Sequence, residues 1–108
     1  MIDFNKITET VINNFYGGEG EYVAHMFVDE NNKIMKGKLA KNCSIGKHCH
    51  ETSCEVIFIL SGKGKVILDG KEEILTEGDC HYCKKGQTHT LINIGEEDLI
   101  FYAVVPQQ

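Results

Sequence analysis

The sequence predicts an all-β sandwich or barrel led by one short helix, and three observations carry that prediction. Short apolar-rich runs follow one another from Tyr22 almost to the end of the chain. The stretches between them, DENN, SGKG, LDGK, TEGD, KKGQ and GEED, are rich in Gly, Asn, Asp and Lys, which supply the positive φ values and solvated backbone of tight turns. Before Tyr22 the apolar spacing changes from a strand period to a helical one.

The elements follow in order. Phe4, Ile7, Val11, Ile12 and Phe15 recur at i, i+3, i+7, i+8 and i+11, one face of a helix for which Asp3 is the N-cap. Gly17, Gly18 and Gly20 end it, so residues 1–20 are expected to form a helix and a Gly-rich connection ahead of a single barrel domain over 21–108. Strands are expected at 22–28, 34–39, 43–50, 55–61, 64–68, 71–75, 79–83, 88–93 and 99–105. Asp69-Gly70 is the strongest hairpin signal, because a two-residue turn matching the strand twist needs positive φ at both positions.

A chain of 108 residues supports one modest core. Its 42% hydrophobic and 25% charged residues are those of an ordinary globular protein. A net charge of -5 with scattered basic residues argues against nucleic acid as a partner. No run approaches the roughly 20 apolar residues of a membrane helix. The start, MIDFNKITET, lacks the basic and apolar regions of a secretory signal, so a cytoplasmic location without membrane contact is expected. The 5 cysteines cannot all pair within the chain, and a reducing compartment keeps them as thiols.

Residues 47–55, KHCHETSCE, hold the chemistry. On a strand His48 and His50 share one face while Cys49 points to the other. If ETSC is a tight connection, Glu55 opens the next strand beside the two imidazoles, and His89 begins another strand after Lys85-Gly86-Gln87. Three imidazoles and a carboxylate suit a divalent Zn, Mn, Fe, Co or Ni ion and leave positions open. Taken alone, the first stretch fits polar residues of an edge strand equally well.

The two stretches together carry a resemblance. His48-x-His50-x4-Glu55-x6-Gly62 and Gly78-x5-Lys84-x-Gly86-x2-His89-x3-Asn93 resemble the two motifs of the cupin superfamily, in the short-spaced form of small single-domain cupins. The resemblance covers residues 42–93. It implies a double-stranded β-helix, a jelly-roll-like barrel, with His48, His50, Glu55 and His89 as the metal ligands. Asn42 stands where the family pattern has Gly, and Lys84 where it has Pro; both are turn positions, so they bear on loop geometry.

The remaining polar residues have plainer expectations. His25 and His81 match no ligand position; His81 shares a face with Cys83 and is a candidate for the barrel interior. Cys80-His81-Tyr82-Cys83 has the spacing of a redox pair, but on a strand its two thiols face opposite ways. Cys54, beside Glu55, is either a packing residue or an oxidant-sensitive thiol near a metal.

Strand parity also speaks to assembly. With Glu55, Ile57 and Ile59 inward, Val56, Phe58 and Leu60 are as apolar on the outside, and Phe101 to Val105 is apolar on both sides. Such a surface needs a cover, and a homodimer through outer sheet faces is expected. The chain contains no Arg, so bidentate recognition of phosphate or carboxylate is excluded, which favours a small ligand that chelates the metal through its own oxygens. The leading expectation is a metal-dependent enzyme acting on a small oxygenated molecule, dioxygenase- or isomerase-like. The rival is a binding or sensing module without turnover, and a purely structural metal is the third reading. No residue is assigned a catalytic role, and Glu55 is taken as a ligand.

Overall fold

The structure, a computed structural model, describes residues 1–108. Ten strands run in order: β1 (Thr10–Asn13), β2 (Glu21–Val28), β3 (Asn32–Leu39), β4 (Ser44–Cys49), β5 (Glu55–Ser61), β6 (Gly64–Leu68), β7 (Lys71–Leu75), β8 (Cys80–Cys83), β9 (Thr88–Asn93) and β10 (Leu99–Pro106). They form a six-stranded sheet, β1-β2-β3-β10-β5-β8, and a four-stranded sheet, β4-β9-β6-β7, with every pairing antiparallel. The two sheets close on each other around the core as the expected all-β barrel. No helix is long and apolar enough to cross a membrane.

The turns realise the local chemistry read from the sequence. Asp69 and Gly70 take φ values of 48° and 84°, the double positive φ of a tight β6–β7 hairpin. Asn42, standing where the family pattern has Gly, takes φ 67°, a conformation its short polar side chain tolerates. Lys84 gives its backbone N–H to Oε1 of Gln87 at 2.9 Å, a bond that proline could not donate.

The N-terminal helix is corrected. Asp3 does cap a turn, accepting from the Asn5 N–H, but only a 3-10 turn over Phe4–Lys6 follows. Residues 10–13 form β1, paired with β2 at the edge of the larger sheet, and a second 3-10 turn spans Phe15–Gly17. Two effects override the helical spacing. An isolated helix of about a dozen residues is marginal, and Thr8, Thr10, Val11 and Ile12 are β-branched residues that fit a strand better. Ile12 and Phe15 still reach the core, whereas Phe4 stacks on Tyr102 outside it, with ring centroids 5.6 Å apart.

Alternation places the core. Ile57 and Ile59 of β5, Val66 of β6, Leu91 of β9, and Leu99, Phe101 and Ala103 of β10 are buried between the sheets with Tyr22, Met35 and Leu39. The opposite side chains of β5 and β10 face out, leaving Phe58 46% and Tyr102 39% exposed. The two are direct cross-strand partners, so they form one apolar stripe with Lys36 on its far side.

Candidate metal centre

One crossover between the two sheets and one cross-strand neighbour build the site. β4 carries His48, the chain leaves it at His50, and Glu55 opens β5. The turn between them is held at both ends: His50 exchanges backbone bonds with Gly86 and Gln87, and the Cys54 N–H binds the Pro106 carbonyl. β9 pairs with β4 so that His48 and His89 face each other directly. Ligand atoms of His48, His50, Glu55 and His89 all lie within 4.8 Å of one another, a group able to hold a metal ion.

The closer distances have a chemical meaning. His89 Nε2 is 3.1 Å from His48 Nε2 and 3.0 Å from both His50 Nε2 and Glu55 Oε1, and His50 Nε2 is 3.2 Å from Glu55 Oε1. Cis positions about one ion, with bonds of about 2.1 Å at right angles, are separated by about 3.0 Å, whereas tetrahedral positions stand about 3.4 Å apart. The short pairs are spaced as donors that share one ion are.

Protons point the same way. The Nδ1 of His48 lies 2.8 Å from the Gly46 carbonyl, which only accepts, so Nδ1 carries the proton and Nε2 presents a lone pair to the centre. The Nδ1 of His50 meets the Ser53 hydroxyl at 2.9 Å, and that of His89 meets Nε2 of His81 at 3.0 Å. Imidazole lone pairs and a carboxylate crowded at hydrogen-bond distance call for a cation between them, and this donor set suits a first-row divalent metal.

Electrostatics follow from burial. Burial pushes the Glu55 carboxyl up, but hydrogen bonds from His50 and His89, with their charge, outweigh it and hold the group down at about 2. Burial lowers His48 and His81, disfavouring the charged form of both imidazoles. The Tyr22 phenol, buried and near Glu55, is raised well above its ordinary range, and its hydroxyl donates to the Met35 sulfur.

A cavity of about 380 Å³ opens beside the site, with His48, His50 and Glu55 in its wall. Phe15, Tyr16, Tyr22 and Met26 give it an apolar side, and Asp29, Glu30 and Glu51 give it acidic groups. Lys33 is its only lysine. Tyr16 lies flat on His48, with centroids 4.2 Å apart and planes 13° from parallel. It does so from φ 54°, a strained conformation for an aromatic residue.

The structure brings together all four residues proposed as ligands and leaves the other candidates apart. Cys49 is exposed and turned to Gly86, as strand parity requires. Cys80 is exposed and Cys83 buried, so the C-x-x-C thiols face opposite sides of β8. His25 bonds the Ile7 carbonyl. His81 is 2% exposed, within the barrel between Glu73 and His89. Sequence reasoning missed Tyr16, Gly46, Ser53 and Glu73. Ser53 was within reach of the HxH stretch, but Glu73 had no signal, since β7 and β8 belong to different sheets.

The comparisons with known proteins agree with this geometry. The family model described as the cupin domain matches residues 35–105. The oxalate-binding protein of Thermotoga maritima is 36% identical over 97% of this chain and 92% of its own length. A crystal structure described as a predicted oxalate decarboxylase from Thermotoga maritima superposes with a TM-score of 0.93 at 29% identity, over 100% of this chain and 99% of that one. The polyketide cyclase RemF of Streptomyces resistomycificus, at 18% identity and TM-score 0.81 over 98% and 78% of the two chains, shares the fold.

Proposed function

The chain belongs to the cupin domain family, and on that premise we propose that it binds a small, metal-chelating oxyanion of the oxalate class at a divalent transition metal held by His48, His50, Glu55 and His89. The observation that carries the reading is the convergence of three imidazole Nε2 atoms and one carboxylate oxygen at 3.0–3.2 Å. Iron, manganese, zinc, nickel and cobalt all suit such a nitrogen and oxygen set. When bound there, such an ion would supply the positive charge and Lewis acidity that attract a ligand's oxygens.

The chain's own residues support that ligand class. With no Arg in the sequence and Asp29, Glu30 and Glu51 in the cavity wall, the protein offers little charge to a phosphate. Three neutral imidazoles and Glu55 leave a divalent site with about one net positive charge, and Lys33 adds one at the wall. A small dianion is thereby compensated, while a larger polyanion meets the acidic side chains. The name of the 36% identical relative supports the same ligand class.

Turnover of that ligand is the second reading, favoured by the likeness to the structure described as a predicted oxalate decarboxylase. Calorimetry with oxalate, malonate and acetate on metal-loaded protein tests the first reading; equal, weak binding of all three would overturn it. Formate or carbon dioxide release and oxygen uptake in the same mixtures test the second. A stable metal–oxalate complex with neither would leave a binding protein.

Two further properties belong to this reading. Phe58, Tyr102 and Tyr82 expose an apolar outer face on the six-stranded sheet, and a homodimer closes it. Free thiols at Cys43, Cys49, Cys54, Cys80 and Cys83 suit a reducing cytoplasm.

A further inference from the structure

From the candidate centre a chain of hydrogen bonds runs to the surface through residues that do not line the cavity. Glu73 Oε1 lies 2.9 Å from Nδ1 of His81, and His81 Nε2 lies 3.0 Å from Nδ1 of His89, whose Nε2 faces the centre. The His81 side chain is 1% exposed and that of Glu73 44% exposed, so the chain spans the barrel wall from buried centre to solvent. It also joins the two sheets, since His81 is on β8 at the edge of the larger one, whereas Glu73 on edge strand β7 and His89 on inner strand β9 belong to the smaller.

Two directions of donation are open to such a chain, and its outer end selects one. An ionised carboxylate only accepts, so His81 must donate from Nδ1 and therefore accept at Nε2. His89 must then donate from Nδ1, which leaves its Nε2 without a proton and ready to ligate. Glu55 pulls the other way: its Oε1, 3.0 Å from His89 Nε2, favours a proton on that nitrogen when no cation is present. The same ring proton is thus contested by two carboxylates, one on each side of His89.

We propose that Glu73 and His81 are positioning residues for the metal centre, setting the His89 tautomer so that Nε2 is free to bind the ion. The proposal rests on the metal-centre reading above and adds to it an exposed edge-strand carboxylate that never touches the ion. Hydrogen-bond partners of ligating imidazoles raise metal affinity through orientation and basicity, and their loss costs about 10–100-fold. Glu73 Oε1 and the hydroxyl of Ser53 reach their ligands differently: Ser53 can reverse its donation, whereas the carboxylate of Glu73 cannot.

The test uses Zn²⁺ as the probe and reads two quantities. Zn²⁺ affinity is measured by competition with a chromogenic chelator in wild type, Glu73→Leu, Glu73→Gln, His81→Phe and His81→Gln. Glu73→Leu should bind about 10-fold or more weakly, with Glu73→Gln recovering much of the loss because its amide oxygen still accepts. His81→Phe should lose more than His81→Gln, whose amide oxygen is placed to accept from His89. Long-range ¹H–¹⁵N spectra of the Zn²⁺-loaded wild type should show His81 as the Nδ1–H tautomer. Zn²⁺ binding by wild type with unchanged affinity in Glu73→Leu, or an Nε2–H tautomer of His81, would overturn the positioning role alone. A wild type that takes up neither Zn²⁺ nor Mn²⁺ would overturn the metal-centre reading and this inference with it. Because Glu73 is exposed on an edge strand, its variants keep the fold even if His81→Phe does not.

Discussion

The Nε2 atoms of His48 and His89 lie 3.1 Å apart because the two residues are cross-strand partners in β4 and β9. Any loss of that pairing dismantles the site, while the thiol between the two β4-side imidazoles plays no part in it. Protein purified without chelators should carry about one first-row metal per chain, largely lost in His48→Ala and His89→Ala and retained in Cys49→Ser. Elemental analysis checks this, and equal loss in all three variants would overturn the assignment.

Glu55 should contribute to folding in a pH-dependent way in metal-free protein. Its folded value of about 2 lies below the unfolded value of about 4.3, so the stabilisation is complete above about pH 4.3 and is lost as pH falls through about 2. Wild type should therefore exceed Glu55→Gln in urea stability at pH 6, with the gap closing towards pH 2. A gap that does not change with pH, measured in EDTA, would contradict the burial and hydrogen bonding assigned to this carboxylate.

The cysteines should divide by face. Cys49 and Cys80 are exposed, whereas Cys54 and Cys83 are buried, and burial with the nearby charge of Glu55 pushes the Cys83 thiol up to about 12. Iodoacetamide at pH 8 should label Cys49 and Cys80 quickly and leave Cys83 unmodified until the protein is denatured. Peptide mass spectrometry reads the order, and early labelling of Cys83 would refute it.

Gly46 should tolerate no side chain. A Cβ there would run into the carbonyl of Tyr16, and one on Gly18 into that of Ser44, so the 3-10 turn over Phe15–Gly17 lies directly on β4. Gly46→Ala should cost about 1–3 kcal/mol and displace the Tyr16 ring from His48. Thermal unfolding measures the cost, and a fully stable variant would show that the turn is not packed this closely.

The outer sheet face should hold two copies together. Phe58→Lys places a charge in the stripe shared with Tyr102 and should convert a dimer to a folded monomer at micromolar concentration, as read by light scattering with circular dichroism. A wild type that is itself monomeric would refute the dimer.

How much of this was legible in the sequence depended on the range of the interaction concerned. Strand alternation is local, so the common face of His48 and His50, the exclusion of Cys49, the divergence of Cys80 and Cys83, and the inward set of Glu55, Ile57 and Ile59 could be read before any fold was known. Turn chemistry is local too, and Asp69-Gly70 forms the hairpin its dipeptide announces. The N-terminal segment failed as a helix because its spacing competed with pairing to β2, a partner that no local pattern reveals.

Tertiary structure alone decided the rest. The flat stacking of Tyr16 on His48 depends on a left-handed turn seated against Gly46, and the Glu73–His81–His89 chain depends on the edges of two sheets meeting. The sequence determined the four candidate ligands and which way each one faces along its own strand, because side-chain direction is a property of the strand itself. Only the closure of the two sheets determined which atoms meet and which proton each imidazole keeps, because hydrogen-bond direction is set by partners brought from distant strands.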